Sequence, residues 1–260
     1  MSILDRIIET KKGELEWQKE KVPVAKLENY PLFNRKCNSL KASLQKENST
    51  GIIAEFKQKS PSKGDINFRV KVEEVTKSYV EAGAAGLSVL TDFEYFGGTP
   101  ANLTKAREAN PETPILRKDF IIDSYQVVEA KAFGADVILL IAACLQKEQA
   151  ESLAKEAKNL GMEVLMEVHN AEELEKINDF VDIVGVNNRD LKTFKVDVET
   201  SVQLAEHIPN RFLKISESGI SKAETIRYLK KHGFQGFLIG ETFMKTDNPG
   251  EACKKLVTEL

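Results

Sequence analysis

Short apolar runs recur along the chain, and segments with the apolar spacing of one helix face separate them. Each run has the length of a buried strand. The first run begins at Gly51, and the others are Ala84–Asp92, Thr113–Phe120, Ala135–Ala142, Met162–Val168, Val181–Asp190, Phe212–Gly219 and Phe234–Glu241. Strands that alternate with helices predict right-handed βαβ crossovers. About eight of them predict a closed, parallel (β/α)8 (TIM) barrel, an α/β fold.

Glycines mark the ends of several predicted helices. Helical segments stop at Gly83, Gly161 and Gly233, each shortly before an apolar run. A glycine just past the last turn can take the left-handed conformation that closes a helix. Helix, glycine and strand therefore form a repeating unit.

The length of the chain favours one domain. Its 260 residues are close to the roughly 250 typical of a single barrel. We therefore expect a single TIM-barrel domain over residues 1–260, with an N-terminal helical extension at 1–48 and the barrel at 49–260.

The extension begins with a heavily charged segment that has one apolar side. Ile3, Leu4, Ile7 and Ile8 fall on that side of a predicted helix. We expect this helix to pack on the barrel as an added element.

Charge and hydropathy limit the partners of the chain. Its net charge is −3, with acids and bases interspersed, so no global field favours nucleic acid or an anionic membrane. No run approaches the roughly 20 apolar residues of a membrane span, and the N-terminus lacks the apolar core of a signal peptide. We expect a cytoplasmic protein with no nucleic-acid or membrane partner, a monomer or else a weak oligomer.

The cysteines do not suggest a disulfide framework. Cys37, Cys144 and Cys253 are odd in number and widely separated, which suits a reducing compartment. We interpret them as buried structural thiols.

The histidines and glycine motifs predict neither a metal nor a nucleotide cofactor. His169, His207 and His232 lack the spacing of metal ligands, and no GxGxxG or GxxxxGK[ST] occurs. Only His169 directly follows a predicted strand. For it we favour a surface or helix-capping position over a catalytic one.

The first strand ends in two charged residues on one face. Glu55 and Lys57 share a side because strand side chains alternate. Two charged side chains at the end of a buried strand are costly to desolvate unless they form an ion pair or bind a ligand. It indicates either an active site or a solvated ion pair.

Polar residues at further strand ends favour the active site, which in this fold lies at the carboxyl ends of the strands. At the third strand, either Lys118 or its neighbours Arg117 and Asp119 must point inward. The other strand-end residues are Ser88, Glu167, Asn187, Arg189, Glu217 and Ser218. The alternative is that these side chains are simply solvated charges at the rim of the barrel, with no role in a site.

Glycines after the last two strands predict a phosphate site. Gly219 lies in SESGI and Gly240 in LIGET, where barrels of this class bind phosphate through backbone N–H groups. Glycine allows the backbone to approach an anion closely. Tight turns alone would also explain both residues, but we favour a phosphorylated substrate.

Several motifs together resemble the indole-3-glycerol-phosphate synthase family. They are EFKQKSPS at 55–62, LRKDF at 116–120, the Glu167 strand, GVNNRDL at 185–191, SESGI at 216–220 and IGE at 239–241. The resemblance covers nearly the whole chain, including the extension. It implies a cofactor-free carboxy-lyase of tryptophan biosynthesis. The family converts 1-(2-carboxyphenylamino)-1-deoxy-D-ribulose 5-phosphate to indole-3-glycerol phosphate, CO2 and water.

The resemblance also implies roles for the reacting groups. Lys118 matches the general acid of the family, and Asn187 matches a position that orients the reacting centre. Glu55 and Glu167 are the carboxylates available for acid and base steps, and their division of labour stays open.

Further residues match positions that bind the substrate. Lys57 matches the substrate-binding lysine, and Arg189 is a second cation for the carboxylate and phosphate. The remaining matches to substrate positions are Ser60, Glu217 and Ser218, and those to phosphate loops are Gly219, Gly240 and the backbone of Glu241. Only the N–H of Glu241 is expected to face the phosphate, because its carboxylate would repel the anion.

Two other functions compete with this one. The phosphoribosylanthranilate isomerase family shares the barrel and phosphate site but uses a Cys/Asp pair, whereas strand 1 here ends in Glu55 and Lys57. A non-catalytic, phosphate-sensing barrel would keep the glycine loops but lose the proton-transfer residues, all of which are present.

Overall fold

Eight parallel strands close a barrel in which each strand pairs with the next along the chain and the last pairs with the first. The computed structural model describes residues 2–260; Met1, part of the predicted extension, lies outside the described residues. The strands are β1 (Ile52–Phe56), β2 (Gly86–Leu90), β3 (Ile115–Lys118), β4 (Val137–Ile141), β5 (Glu163–Val168), β6 (Ile183–Asn187), β7 (Leu213–Glu217) and β8 (Phe234–Ile239). The predicted (β/α)8 barrel is confirmed.

Helices connect the strands and cover the outside of the barrel. They are α1 (Ile3–Lys21), α2 (Val24–Leu27), α3 (Leu40–Leu44), α4 (Val72–Glu81), α5 (Phe93–Phe96), α6 (Pro100–Ala109), α7 (Ser124–Ala132), α8 (Lys147–Asn159), α9 (Glu199–Ala205), α10 (Ala223–Lys231), α11 (Glu241–Met244) and α12 (Pro249–Thr258). Two 3-10 segments occur at Ala142–Cys144 and Glu172–Lys176. The three predicted helix-ending glycines have φ of +98°, +77° and +84°, as a left-handed cap requires.

The register of the strands brings polar residues to one level of the barrel. Glu55 pairs with Ser88 across β1 and β2, and Asn187 pairs with Glu217 across β6 and β7. Because side chains alternate along a strand, residues that pair in this way point to the same side of the sheet. The strand ends therefore present a ring of polar groups to the barrel interior.

The other end of the barrel is filled by apolar side chains. Leu40 and Leu44 of α3 pack with inward-facing residues such as Ile53, Leu165 and Ile215. This packing leaves the carboxyl ends of the strands as the end at which a pocket can form.

The first helix confirms the predicted amphipathic extension but differs in its buried face. Ser2 and Asp5 form a capping box at its start, and Ile7, Lys11 and Leu15 are the buried residues. Lys11 thus occupies a place where the pattern predicts only apolar side chains.

Charges hold this helix on the barrel. Lys11 Nζ lies 2.9 Å from Asp92 and 3.2 Å from Asp119, residues that follow β2 and β3. Leu15 packs with Tyr125 and Val128, which both lie on α7. The helix therefore sits beside the carboxyl ends of the strands.

Within residues 2–260, none of the helices combines the length and apolar character that a membrane crossing needs.

Candidate active site

A pocket of about 540 Å³ opens where the carboxyl ends of the barrel strands meet. The first turns of α1 form part of its wall through Ile3, Leu4 and Ile7. Twelve of the site residues named from the sequence line this one pocket, whereas Ser88 does not. They are Glu55, Lys57, Ser60, Lys118, Glu167, Asn187, Arg189, Glu217, Ser218, Gly219, Gly240 and Glu241.

Lys118 points into the pocket, which decides the open question at the third strand. Its Nζ lies 2.7 Å from Glu167 and 3.3 Å from Glu217. Arg117, one residue earlier, faces the opposite way and pairs with Glu129 of α7 at 2.6 Å. Strand alternation accounts for the difference, because neighbouring side chains lie on opposite faces.

The ammonium form of Lys118 is strongly favoured. Burial alone would lower the pKa of Lys118, but the carboxylates of Glu167, Glu217 and Glu55 outweigh burial and raise the pKa above its usual value. Lys118 therefore enters the pocket as a cation that can donate a proton.

Glu167 is ionised in this arrangement. Burial would raise the pKa of the carboxyl, but Lys118 and His169 hold it well below the usual value. One of its oxygens accepts from Lys118, and the other accepts from Asn187 Nδ2 at 3.0 Å. Glu167 can therefore accept a proton at neutral pH.

Glu217 holds its proton at neutral pH. Burial raises the pKa of Glu217 to about 8, and the charges of Glu167 and Glu55 add to the effect while Lys118 opposes it. Its Oε1 is buried without a hydrogen-bond partner. Three buried carboxylates around one ammonium would repel one another, so one of the three carboxyls keeps a proton.

Glu55 and Lys57 form the ion pair that their spacing suggests. Lys57 Nζ lies 2.9 Å from Glu55, and Ser88 donates a hydrogen bond of 3.2 Å to the other oxygen of the carboxylate. Lys57 remains partly exposed to the pocket, so an incoming anion can reach it.

Two glycines make room for the buried carboxyls. A Cβ at Gly240 would lie 2.5 Å from Glu55 Oε1, and one at Gly185 would lie 2.5 Å from Glu217 Oε1. With any other residue at either position, the Glu55 or Glu217 carboxyl would have to move. Gly185 was missed as a site residue, and its place inside GVNNRDL was the signal that could have identified it.

The loop after β7 has an unusual backbone. Ser218 and Gly219 both have positive φ, 69° and 77°. A side chain at Gly219 would also collide with Val196. A left-handed serine costs conformational energy and is typically kept where the backbone must present groups to a ligand. Thr242 after β8 donates to the carbonyl of Ile220 at 3.1 Å, which ties the two predicted phosphate loops together.

The side chain of Glu241 lies between two cations of the pocket. Its oxygens are 3.8 Å from Lys63 Nζ and 3.7 Å from Arg189 Nη2. We expected only the N–H of Glu241 to face a phosphate. The two cations explain how a carboxylate can lie here before an anionic ligand enters.

His169 is neither an exposed surface residue nor the cap of the helical segment that follows it, so that expectation was wrong. Its side chain is only 10% exposed and lies between Glu167 and Glu173, each of which is within ion-pair distance of one ring nitrogen, although Nε2 makes no hydrogen bond. Lys11 and Asp92 were also missed. Their partners lie far apart in the sequence, so no local pattern could have revealed them.

The cysteines differ in burial. Cys253 is buried, whereas Cys37 and Cys144 are partly exposed, and all three are free thiols. Burial raises the pKa of Cys144 to about 12, so this thiol is neutral. Among residues 2–260, no cluster of three or more His, Cys, Asp or Glu side chains is arranged to hold a metal ion.

A (β/α)8 barrel with a buried ammonium, an ionised carboxylate and a protonated carboxyl in one pocket at its strand ends defines an acid–base barrel enzyme. A sequence model of the family "Indole-3-glycerol phosphate synthase" matches residues 4–256. The chain therefore belongs to the indole-3-glycerol phosphate synthase family.

Individual relatives agree over almost the full length. An indole-3-glycerol phosphate synthase of Bacteroides thetaiotaomicron is 48% identical over 258 residues, which is 99% of this chain and 98% of the relative. One of Salinibacter ruber is 42% identical and covers 100% of this chain and 96% of the relative.

Solved structures share the fold at low identity. The 3-hexulose-6-phosphate synthase of Salmonella typhimurium has a TM-score of 0.64 at 12% identity, over 81% of this chain and 98% of that one. Tryptophan synthase subunit alpha of Legionella pneumophila has a TM-score of 0.62 at 14% identity, over 85% of this chain and 96% of that one. At such identities the likeness shows the barrel alone.

Proposed function

We propose that this chain catalyses the conversion of 1-(2-carboxyphenylamino)-1-deoxy-D-ribulose 5-phosphate to indole-3-glycerol phosphate, CO2 and water, a step of tryptophan biosynthesis. The observation that carries the proposal is the Lys118 ammonium, which faces the pocket 2.7 Å from the ionised Glu167. Membership of the family supplies the reaction in which this pair of groups is needed. The chain is thus a carboxy-lyase.

Ring closure needs a proton donor at the ketone. The ring carbon that carries the carboxylate attacks the ketone carbon, and the ketone oxygen gains negative charge. An ammonium hydrogen-bonded to that oxygen stabilises the charge and supplies a proton, and we assign this role to Lys118. The bond to the carboxylate then breaks, CO2 leaves, and the electron pair of that bond restores the aromatic ring.

Dehydration needs both a base and an acid. The hydroxyl formed in ring closure takes a proton and leaves as water, and the new five-membered ring gives up a proton. We assign the base to Glu167, because its carboxyl is ionised. The proton for the hydroxyl comes from a proton-donating side chain of the pocket, which offers Lys57, Lys118 and Glu217.

The remaining residues of the pocket suit a substrate with two anionic ends. Lys57 and Arg189 supply cations for the carboxylate and phosphate. The backbone at Gly219 and Gly240 approaches a phosphate without obstruction by side chains. Asn187, which already donates to Glu167, is assigned to orient the reacting centre.

Ser60 and Ser218 supply hydroxyls for the sugar chain, and both line the pocket. The backbone N–H of Glu241 is assigned to the phosphate. Its carboxylate then has to leave the pair of cations that it contacts in this structure, Lys63 and Arg189.

A cytoplasmic location and a monomeric state complete the proposal. Both the substrate and the product are phosphate esters, whose charge keeps them in the compartment where they are made. The barrel also builds the whole pocket from one chain, so catalysis needs no second copy.

A turnover assay tests the proposal. Purified protein is mixed with the carboxyphenylamino substrate, and the indole fluorescence of the product is followed. Steady multiple turnover is expected. Phosphoribosylanthranilate serves as the second substrate in the same experiment. Turnover of that compound, with none of the carboxyphenylamino substrate, would contradict the proposal and favour an isomerase.

A further inference from the structure

His169 lies outside the pocket lining but directly behind one of its reactive groups. It follows β5 immediately, two residues after Glu167 on the same strand. His169 is not among the residues that line the pocket, and Glu167 is the pocket residue that its ring faces.

Both ring nitrogens of His169 face carboxylates. Nε2 lies 3.3 Å from Glu167 Oε1, an ion-pair distance without the geometry of a hydrogen bond, and Nδ1 lies within hydrogen-bond reach of Glu173 Oε2 at 3.2 Å. A neutral imidazole has one N–H and one bare nitrogen, so it would set a lone pair against one of the two carboxylates. The geometry therefore fits the doubly protonated, cationic ring.

Glu173 is itself held in place. The backbone N–H of His169 donates to Glu173 Oε2 at 2.7 Å, and Asn170 Nδ2 donates to Glu173 Oε1 at 2.9 Å. The backbone N–H of Glu173 donates in turn to Asn170 Oδ1 at 3.0 Å. The anchor for the ring is thus a short, closed network on the segment that follows β5.

The two oxygens of Glu167 have different partners. Oε2 accepts from Lys118, the proposed acid, at 2.7 Å. Oε1 faces Asn187 and His169. Asn187 and His169 on Oε1 together oppose a movement of the carboxylate towards Lys118.

Two carboxylates, Glu167 and Glu173, face the His169 ring from opposite sides, and Lys118 faces the other oxygen of Glu167. The other titratable groups near them are Cys144, a neutral thiol, and Lys176, which donates to the carbonyl of Ala142. A neutral His169 would leave Glu167 and Glu173 without the cation that lies between them.

We propose that His169 is a positioning residue for the reaction, which holds the Glu167 carboxylate through Oε1 and is itself held by Glu173. This inference rests on the proposed function, because it concerns the base of that reaction. The charge of the ring agrees with it: burial would lower the pKa of His169, but Glu167 and Glu173 raise it to about 10.

Two substitutions at His169 test the proposal by steady-state kinetics. His169→Gln keeps a hydrogen-bond donor and loses the charge, and His169→Met loses both at similar volume. We expect kcat to fall roughly tenfold or more for Gln and further for Met, with KM within about threefold. His207→Gln, on the exposed surface, is the matched control and should equal wild type.

The pH profile separates positioning from a structural role. Without the cation, the pKa of Glu167 rises, so His169→Gln should lose kcat at a higher pH than wild type as the solution is acidified. Glu173→Gln removes an anion that stabilises the charged ring, so the pKa of His169 falls. This variant should resemble wild type in mild acid and lose kcat at a lower pH than wild type as the solution is made alkaline.

The wild-type protein offers a readout that needs no folded variant. In ¹⁵N spectra the ring of His169 should stay doubly protonated from pH 6 to pH 9. A ring that titrates near the ordinary pKa of about 6.5 would overturn the proposal.

Failure of this inference differs from failure of the proposed function. If folded wild-type protein does not turn over the substrate, the proposed function is wrong, and the role proposed for His169 is wrong as well. If wild type is active, then kcat of His169→Gln within threefold of wild type overturns the positioning role alone. A loss of equal size at every pH also overturns it.

Discussion

At the scale of single residues, the three carboxyls around Lys118 differ in ionisation and in ion pairing because they have different neighbours. Glu167 contacts two cationic side chains and is ionised, whereas Glu217 shares only Lys118 and keeps its proton. Glu55 pairs with Lys57, whose side chain is accessible from the pocket. These different surroundings support the different roles proposed for the three carboxyls.

The role of Lys118 is tested by Lys118→Met, which keeps the length of the stem and removes both proton and charge. We expect kcat to fall by roughly 10²–10⁴-fold, because the ketone oxygen loses its proton donor. Product affinity should fall no more than about tenfold, or 1.4 kcal/mol, since the phosphate contacts lie on other strands.

Thermal melting of the same variant provides the control. If Lys118 only stabilised the barrel through Glu167 and Glu217, Lys118→Met would melt earlier while kcat per folded molecule stayed within threefold of wild type. That outcome would remove Lys118 from the mechanism.

The protonated state of Glu217 predicts a pH dependence of stability. Its folded pKa of about 8 lies above the unfolded value. The folded state therefore binds the proton more tightly, and this group makes stability fall as pH rises from the unfolded pKa towards 8. The slope is at most about 1.4 kcal/mol per pH unit.

Glu217→Gln mimics the protonated carboxyl and cannot ionise, so it should lose this part of the slope. Denaturant unfolding of both proteins from pH 5 to pH 9 measures the difference. Parallel stability curves would show that Glu217 is ionised in the folded state.

At the scale of elements, the first helix belongs to the pocket as much as to the extension. Ile3, Leu4 and Ile7 form part of the pocket wall, and Lys11 on the same helix binds the carboxylates of Asp92 and Asp119. Asp119 follows Lys118 directly in the chain. The helix is therefore tied to the strand end that carries the proposed acid.

Lys11→Met should loosen this helix and expose the pocket. Breaking a buried pair by removing one partner leaves uncompensated charges, and we expect a loss of about 3–5 kcal/mol in the free energy of unfolding. KM should rise, because the wall formed by Ile7 becomes mobile.

Lys12→Met is a closely matched control, since Lys12 is the next residue, is exposed and lies 3.8 Å from Glu9. It should change stability by less than about 0.5 kcal/mol. Equal melting temperatures for the two variants would contradict the role given to Lys11.

At the scale of the whole molecule, the reaction requires no change of oxidation state. Ring closure, loss of CO2 and loss of water balance with proton transfers alone, and Lys118 with Glu167 can carry these transfers. We expect kcat to be unchanged after exhaustive treatment with EDTA and desalting. Loss of activity that a divalent cation restores would refute this part of the account.

The barrel could be predicted because its signals are local and repeated. Apolar runs, helical spacing and glycines at Gly83, Gly161 and Gly233 recur in every part of the chain, so errors at one element would not change the fold. The pocket followed from the rule that strands of this fold carry the site at their carboxyl ends.

The parts that could not be predicted depend on contacts between distant segments. The alternation of side chains along the strand shows that Lys118 and Arg117 point in opposite directions, but not which of them points into the barrel. Only closure of the barrel directs Lys118 inward. The bond from Lys11 to Asp119 joins segments more than a hundred positions apart. The proton on Glu217 depends on three strands at once, so no motif could reveal it.

The most direct test of the central claim is a single-turnover experiment with substrate that carries an isotope label in its benzoate carboxylate. Excess protein is mixed with this substrate, and labelled CO2 and indole product are both quantified. We expect equal molar amounts of the two products from wild type, and we expect Lys118→Met to slow the release of both together. Folded wild-type protein that releases neither product, or an indole product that retains the label, would contradict it.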